Sequence, residues 1–265
     1  MGTFVRRYGP WGVVAGASEG IGASFSRRLA KRGLNLVLLA RRAAPLDLLA
    51  SELRREHGVE VRTQSLDVGS ANLREGLATA TQDLDVGLVV YNAAYSPIGR
   101  FLDVELEDHF DVLDVNVRGP LIVSHYFGRR LAARGRGGLI LMSSMSGFQG
   151  TAMVANYAAT KSYDKILAEG LWYELRENGV DVLACVAGAK LTPSFMSSTD
   201  RFPNSWLARP MQPDEVTGQA LRDLGRQPAG VSGRRNRLGA TLLSRLLTRG
   251  AAIRMVSKET EYMYR

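Results

Sequence analysis

Tyr157 and Lys161 stand four residues apart in the segment Tyr157-Ala158-Ala159-Thr160-Lys161. On a helix this spacing places the phenol and the ammonium on one face. A phenol, with an ordinary pKa of about 10, is a poor acid or base at neutral pH. A neighbouring ammonium favours the phenolate and lowers that pKa toward the working range. The pair could therefore transfer a proton, although helices also produce this spacing by chance.

Ser144 adds a hydroxyl to this pair. It lies thirteen residues before Tyr157 and directly follows the apolar run Leu139–Ser143, which predicts a buried strand. In parallel sheets flanked by helices, ligands bind beyond the carboxyl ends of the strands. We therefore expect the Ser144 hydroxyl at that edge, where it could donate a hydrogen bond to a reacting oxygen.

Short apolar runs alternate with segments of helical spacing along the chain. The predicted strands are Gly12–Ala15, Leu34–Ala40, Val59–Gln64, Val86–Tyr91, Leu139–Ser143, Val180–Val186 and a shorter one at Gly230–Val231. The predicted helices are Gly20–Arg32, Pro45–His57, Ala71–Gln82, Asp108–Arg134 and Ala155–Asn178. Continuous apolar strands are typical of a sheet that is covered on both faces. The alternation predicts an α/β, three-layer doubly wound Rossmann fold with a mainly parallel central sheet of about seven strands. No linker or repeat divides residues 1–265, so we expect one domain.

A glycine-rich turn, Ala15-Gly16-Ala17-Ser18-Glu19-Gly20-Ile21-Gly22, follows the first predicted strand and opens the first predicted helix. Glycine tolerates the backbone angles of a tight turn and leaves room for a phosphate to approach closely. The helix N-terminus then offers free N–H groups and a positive dipole end to a pyrophosphate. The position of the turn favours a nucleotide site over a plain tight turn.

Two arginines, Arg41 and Arg42, end the second predicted strand. A site for NAD usually places a carboxylate there, where it accepts hydrogen bonds from the ribose 2′-hydroxyl. Arginines instead suit a 2′-phosphate, because they form charge-assisted and bidentate bonds with it. The sequence therefore favours NADP(H) over NAD(H), with Arg41 the better candidate. The alternative is two solvated arginines in a loop.

The spacing Gly-x-x-x-Gly-x-Gly at Gly16–Gly22, together with Ser144, Tyr157 and Lys161, resembles the pattern of the short-chain dehydrogenases/reductases. The Tyr8–Trp11 and Leu29–Gly33 runs look most like the branch that contains 3-ketoacyl and 17β-hydroxysteroid reductases. The resemblance covers roughly residues 8 to 192. It implies that a hydride passes between nicotinamide and a carbonyl carbon while Ser144 and Tyr157 bind the oxygen and Tyr157 transfers the proton. Lys161 then holds the ribose and lowers the pKa of Tyr157.

The resemblance assigns further residues. Asn116 matches the fourth catalytic member, so the implied catalytic set is Asn116, Ser144, Tyr157 and Lys161. The implied cofactor-binding set is Gly16, Ser18, Glu19, Gly20, Ile21, Arg41, Arg42, Asp67, Val68, Asn92, Ala93, Ala94, Tyr157, Lys161, Gly188 and Thr192. We expect no metal.

Three residues depart from the family pattern. Ala94 replaces a glycine, Ala187 a proline and Lys190 a valine. These changes keep open a second interpretation, a catalytically weak protein of this fold that binds NADP(H) in a regulatory role. Ser144 weighs against it, because a protein that only binds cofactor has no need of that hydroxyl.

Residues 193–213 match the family's substrate lid. Their apolar residues are Phe195, Met196, Phe202, Trp206, Leu207 and Met211. They predict a small hydrophobic carbonyl or alcohol substrate, with packing against the sheet as an equal alternative. The two long helices, by the resemblance, imply a homodimer or homotetramer.

Residues 234–265 predict a basic amphipathic segment, in which apolar residues alternate with Arg245, Arg249, Arg254 and Lys258. Contact with an anionic membrane surface is one interpretation. Packing on the domain or on a partner subunit is favoured. The net charge of +8 is spread widely and no nucleic-acid motif accompanies it, so we expect no nucleic-acid partner. Cys185 lies alone in an apolar run, and Met1–Pro10 lacks the apolar centre of a secretory signal. We expect a cytoplasmic protein.

Overall fold

The computed structural model describes residues 2–189, 196, 197, 199, 201 and 210–264. In that part of the chain, seven strands form one sheet in the order β3-β2-β1-β4-β5-β6-β7, and every neighbouring pair is parallel. The strands are β1 (Trp11–Ala15), β2 (Asn35–Ala40), β3 (Val61–Ser65), β4 (Val86–Tyr91), β5 (Gly137–Ser144), β6 (Val180–Ala187) and β7 (Ala229–Val231). The strand order reverses between β1 and β4, and such switch points are where doubly wound sheets bind ligands.

Helices cover both faces of this sheet. They are α1 (Thr3–Tyr8), α2 (Gly20–Ala30), α3 (Ala43–His57), α4 (Leu73–Thr81), α5 (Leu106–Leu113), α6 (Gly119–Arg134), α7 (Ala155–Glu174), α8 (Pro213–Asp223), α9 (Arg234–Arg245) and α10 (Arg249–Tyr264). A π-helical turn spans Asp114–Arg118, and 3₁₀ turns span Met145–Phe148 and Arg176–Asn178. The predicted three-layer, doubly wound fold is confirmed.

Two apolar cores lie on opposite faces of the sheet. On one face, side chains of α2, α3 and α8 such as Phe25, Leu49 and Val216 pack against alternate strand residues. On the other face, α4, α6 and α7 contribute residues such as Leu77 and Phe127. Because successive strand residues point to opposite faces, each of the five inner strands contributes to both cores and is a continuous apolar run, whereas the edge strand β3 is mostly polar.

The prediction of one continuous helix over Asp108–Arg134 is wrong. The structure has α5, the π-helical turn and α6 in its place. Pro120 explains the interruption, because it has no N–H to donate to the carbonyl of Asn116, as a continuous α-helix requires. π-helical turns often occur at functional sites, and this one carries Asn116 with its side chain buried.

The basic amphipathic segment forms two helices, α9 and α10. The second contacts the loop before α7. Arg249 donates to the carbonyl of Phe148 over 2.7 Å, and Ser257 Oγ accepts from the backbone N–H of Ala152 over 3.1 Å. The segment therefore packs on its own chain. None of the described helices combines the length and apolarity that crossing a bilayer requires.

Candidate active site

The glycine-rich turn between β1 and α2 requires glycine at three positions. Gly16 has a φ of +75° and Gly20 a φ of +56°, a region that favours glycine. A Cβ on Gly22 would overlap the carbonyl oxygen of Gly16 and would lie 2.9 Å from the Cα of Ala17. Asn92 Nδ2, at the end of β4, donates to the Gly16 carbonyl over 2.9 Å. The Gly16 carbonyl therefore contacts Asn92 on one side and Gly22, at the start of α2, on the other.

The N-terminus of α2 presents free donors beside this turn. Glu19 occupies the N-cap position in extended conformation, and its side chain makes no capping hydrogen bond. Its carboxylate instead pairs with Arg42, with Nη2 and Oε2 2.8 Å apart. The first-turn N–H groups and the positive end of the helix dipole are therefore open to an anion. Ser18 and Ile21 belong to the same turn, Ile21 with its side chain buried.

A cavity of about 210 Å³ adjoins the ends of β2 and β3. It is lined by Arg41, Asp67, Gly69, Ser70, Tyr95, Asp111, Asp114 and Val115. Asp67 Oδ1 accepts from the N–H of Gly69 over 2.9 Å, which fixes the loop that carries it, while the neighbouring Val68 is buried. Arg41 is exposed and has no ion-pair partner among the described residues. Of the two predicted arginines, Arg41 therefore has its charge free for a ligand.

A larger groove of about 640 Å³ lies on α4 and α6. None of the predicted site residues lines it. Its lining combines cationic and apolar side chains: Arg74, Leu121, Ile122, His125, Tyr126, Arg129 and Arg130. We place the site at the strand ends instead, because the polar groups with defined geometry converge there.

Ser144 is the last residue of β5 and the N-cap of the 3₁₀ turn that follows. Its Oγ accepts from the N–H of Ser146 over 3.2 Å and lies 3.1 Å from Ser146 Oγ. The preceding Ser143 donates from Oγ to the carbonyl of Lys161 over 2.6 Å. That bond ties the end of β5, and hence Ser144, to the turn of α7 that carries Lys161.

Tyr157 and Lys161 lie one helical turn apart on α7, as predicted. Lys161 Nζ is 5.7 Å from the centroid of the Tyr157 ring. Lys161 is almost fully buried, whereas Tyr157 is only partly buried. Lys161 Nζ donates to the carbonyl of Met142 over 2.8 Å and to Asp164 Oδ2 over 2.9 Å. Burial lowers the pKa of the Lys161 ammonium, but Asp164 and Tyr157 together outweigh it, and the pKa of Lys161 lies above its ordinary value.

Asn116 is fully buried in the π-helical turn and uses both ends of its amide. Nδ2 donates to the carbonyl of Tyr95 over 2.8 Å and to Thr160 Oγ1 over 3.2 Å, and Oδ1 accepts from the Tyr95 N–H over 2.9 Å. Thr160 in turn donates to the carbonyl of Tyr157 over 2.8 Å. Asn116 therefore connects the loop after β4 to the turn of α7 that carries Tyr157.

The remaining predicted residues lie around the same strand ends. Asn92 and Ala93 donate from their N–H groups to the carbonyl of Ala15, over 3.0 and 3.1 Å. Ala94, which stands where the family has glycine, does not have a positive φ, so alanine is accommodated there without strain. Gly188 follows β6, and a Cβ on it would lie 2.7 Å from Nδ2 of Asn236. Thr192 and Lys190 lie outside the described residues.

Most of the predicted lid also lies outside the described residues. The residues on either side of it are described. The N–H of Met211 donates to the carbonyl of Ala189 over 3.0 Å, so Ala189 and Met211 lie next to each other after β6. Met196 is exposed, and Met211 packs against the core that α2, α3 and α8 build.

Two further polar residues belong to this region and were not predicted. Tyr95 donates its hydroxyl to Asp108 Oδ1 over 2.6 Å, and this bond raises the pKa of Tyr95. Asp164 is the buried partner of Lys161. Its position seven residues after Tyr157 continues the stripe of Tyr157 and Lys161, and helical periodicity is the signal that could have found it.

A strand-end site with a glycine-rich turn, a buried lysine beside a tyrosine and a serine at the end of β5 defines the class of this protein. Residues 11–201 match the family model described as short chain dehydrogenase. The chain belongs to the short-chain dehydrogenase/reductase family. It is an oxidoreductase of the class that acts on CH–OH or C=O groups, and the family binds nicotinamide cofactors.

Individual relatives indicate the branch of the family to which this chain is most similar. A Clostridium sardiniense protein named 7beta-hydroxysteroid dehydrogenase is 33% identical over 234 residues, which cover 88% of this chain and 89% of that protein. A solved structure from work on 7beta-hydroxysteroid dehydrogenase stereoselectivity has a TM-score of 0.90 and 31% identity, covering 96% of this chain and 98% of its own. A short-chain dehydrogenase from Sphingobium yanoikuyae, solved in complex with NADPH, has a TM-score of 0.77 and 27% identity, covering 89% and 94%. The predicted family and branch are confirmed.

Proposed function

We propose that this protein is an NADP(H)-dependent oxidoreductase that reduces a hydrophobic ketone, or oxidises the matching secondary alcohol, through Ser144, Tyr157 and Lys161. The observation that carries the proposal is the buried ammonium of Lys161, 5.7 Å from the Tyr157 ring and tied to the strand end that carries Ser144. A buried cation beside a partly exposed phenol makes that phenol a better proton donor and acceptor near neutral pH.

Each side chain has a separate role in this proposal. The nicotinamide supplies or accepts the hydride when it is bound. Ser144 and Tyr157 donate hydrogen bonds to the substrate oxygen as negative charge develops on it, and Tyr157 transfers the proton. Lys161 uses two of its three N–H donors on Met142 and Asp164, which leaves one for a ribose hydroxyl. Asn116 holds the turn of α7 that carries Tyr157.

The residues present fit a dinucleotide. The crowded backbone at Gly16 and Gly22 and the open N-terminus of α2 suit a pyrophosphate. The cavity at Arg41 and Asp67 lies at the end of β2, where a nucleoside with its 2′-substituent would be held. The lack of a carboxylate at positions 41 and 42 supports NADP(H) over NAD(H). The NADPH complex of the Sphingobium yanoikuyae enzyme also supports it.

Arg41→Ala should reduce the preference for NADPH. A charge-assisted hydrogen bond contributes about 1.5–3 kcal/mol, so we expect the Kd of NADPH to rise about 10- to 100-fold. The Kd of NADH should change little, because NADH has no 2′-phosphate. Fluorescence titration of both cofactors gives the two constants.

Arg42→Ala is the matched control for this prediction. Arg42 already pairs with Glu19. Arg42→Ala should therefore raise the Kd of NADPH less than Arg41→Ala does. If Arg41→Ala raised the Kd of NADPH and the Kd of NADH by the same factor, Arg41 would not contact a 2′-phosphate.

The substrate class follows from the relatives and from the apolar lid residues. Among the relatives, 7beta-hydroxysteroid dehydrogenase acts by its name on a steroid hydroxyl. We propose a bulky hydrophobic ketone of steroid-like size for this chain. The test is oxidation of NADPH by the purified protein against a panel of steroid, aromatic and long-chain acyl ketones. Turnover that prefers bulky ketones supports the proposal, and NADPH binding without turnover across the panel would favour a regulatory role.

We also propose that the enzyme is a homodimer or homotetramer that buries the outer faces of α5, α6 and α7. These faces expose large apolar side chains: Leu106, Phe110, Leu113, Leu121 and Ile166. Several large exposed apolar side chains on neighbouring helices support an interface there. In a two-fold interface each substitution appears twice.

Leu121→Glu combined with Ile166→Glu should therefore dissociate the oligomer. Burying unpaired carboxylates at the contact is unfavourable, so the molar mass in light scattering should fall to that of one chain, 28.9 kDa. Leu48→Glu is the control, because Leu48 is 75% exposed on α3, on the other side of the sheet. An unchanged mass in the double variant would place the interface elsewhere.

A further inference from the structure

Lys161 and Asp164 form an ion pair that is removed from solvent. Their side chains are 3% and 1% exposed, and Nζ and Oδ2 lie 2.9 Å apart. Asp164 Oδ1 has no hydrogen-bond partner among the described residues. A buried carboxylate with one unsatisfied oxygen is unfavourable unless its partner compensates. The negative charge of Asp164 is therefore stabilised by the Lys161 ammonium, and the positive charge of Lys161 by the Asp164 carboxylate.

The pair lies among few other titratable groups. In the described part of the chain, the groups that interact electrostatically with the pair are Tyr157 and Tyr163 on α7 and Tyr91 on β4. The elements packed around α7 also carry Asp114 and Arg118 on the π-helical turn, His109 on α5 and Asp181 on β6, while Lys165 and Glu169 pair with each other on α7 and Cys185 faces the core on the other side of the sheet. Asp114 pairs with Arg118 at the surface, and Asp181 is bound by Arg7 and Tyr8. β5 contributes no titratable side chain. Asp164 is thus the carboxylate that acts directly on Lys161.

Resting on the proposed function, we propose that Asp164 is a positioning residue of the reaction. Its carboxylate holds the Lys161 ammonium against the carbonyl of Met142 and offsets part of the positive charge that Tyr157 faces. Met142 fixes one side of Nζ and Asp164 the other, so the ammonium has a single position beside Tyr157. Burial raises the pKa of the Asp164 carboxyl, while Lys161 opposes that rise.

The sign of the effect follows from treating Tyr157 and Lys161 as one coupled pair. The pair loses its first proton at a pH that belongs to both groups, whichever of them releases it. A negative charge next to the pair raises that pH, because it stabilises the protonated forms. Removing the charge of Asp164 must therefore lower the pH of the first deprotonation. A purely structural role for Asp164 predicts no such shift.

Asp164→Asn tests the inference without cofactor. The first deprotonation of the pair is read at both groups, Tyr157 by tyrosinate absorbance and Lys161 by the NMR shift of its ε carbon, with the proteins carrying Tyr157→Phe or Lys161→Arg assigning each signal. We expect the first deprotonation in Asp164→Asn to shift to lower pH by about one unit or more. Asp164→Ser, a smaller neutral replacement, carries the same expectation if the amide variant does not fold. Asp164→Glu keeps the negative charge, so the first deprotonation of the pair in this variant should occur close to the pH found for the original protein.

The same variants give an activity readout. In alcohol oxidation, which needs the deprotonated pair, the acidic limb of kcat/KM should move to lower pH in Asp164→Asn and Asp164→Ser and stay in Asp164→Glu. The inference is overturned if the first deprotonation of the pair, at whichever group it is seen, occurs in both neutral variants at the original pH or higher. Lack of any oxidoreductase activity would contradict the proposed function alone, because the two titrations need neither cofactor nor substrate.

Discussion

Tyr157→Phe should lower kcat for ketone reduction by about 10²- to 10⁴-fold, the usual contribution of a positioned proton donor. The substitution removes one hydroxyl and keeps the ring, so the helix that carries it should be unaffected. The hydrogen bond from Thr160 reaches the Tyr157 backbone carbonyl and does not involve the hydroxyl. Lys161 remains for the ribose, and the Kd of NADPH should stay close to the original value. Steady-state kinetics and fluorescence titration measure the two quantities separately.

Tyr173→Phe is the matched control for this experiment. Tyr173 lies on the same helix, is 65% exposed and is not part of the proposed site. It should retain the original kcat. Retention of more than a tenth of kcat in Tyr157→Phe would assign the proton transfer to another group. A parallel loss of NADPH binding would show that the phenol acts in binding instead.

The layer architecture could be predicted from the sequence because burial on both faces leaves a continuous apolar run in each of the five inner strands, although the edge strand β3 is mostly polar. The predicted bounds of Val86–Tyr91 coincide with β4, a fully buried strand. The short strand at Gly230–Val231 was found as β7, one residue longer. Helix boundaries were less predictable. The pattern of Asp108–Arg134 is amphipathic throughout, and only the missing N–H of Pro120 indicates the interruption.

Two described helices, α1 and α8, were missed for different reasons. Thr3–Tyr8 is too short for helical periodicity to be decisive. Pro213–Asp223 carries a helix-start signal, with Pro213 in its first turn and a capping box between Gln212 and Glu215. That signal lies at the end of the segment interpreted as a lid, so the lid interpretation concealed it.

Residue spacing predicted where the candidate site residues lie in the fold but not the contacts between them. Spacing indicated Ser144, Tyr157 and Lys161, because serine follows a strand and the other two share a helical face. The pairing of Arg42 with Glu19, 23 residues earlier, depends on how two loops meet. Helical spacing places Asp164 beside Lys161, but the burial of the pair depends on how α7 packs against the sheet. Such contacts follow from tertiary packing, which single-sequence spacing does not encode.

Gly22→Ala should combine a loss of stability with a loss of cofactor binding. The added Cβ would overlap the carbonyl oxygen of Gly16 and would lie 2.8 Å from its carbonyl carbon. Both obstacles are backbone atoms, so no side-chain rotation relieves them, and the turn must open. Overpacking of this kind costs about 1–3 kcal/mol. For a chain of this size, we expect the Tm to fall by roughly 2–4 °C for each kcal/mol.

Cofactor binding should weaken in the same variant, because the proposed site places the cofactor phosphates at this turn. Displacing Gly16 also strains the hydrogen bond that its carbonyl accepts from Asn92. We expect the Kd of NADPH to rise at least tenfold, which corresponds to about 1.4 kcal/mol. The control is Gly128→Ala in α6, where a Cβ would meet only a side-chain carbon at 3.8 Å. That change should raise the free energy of unfolding by up to about 1 kcal/mol and leave NADPH binding unchanged. If Gly22→Ala bound NADPH as tightly as Gly128→Ala, the turn between β1 and α2 would not be the phosphate site, and the cofactor proposal would lose its main structural support.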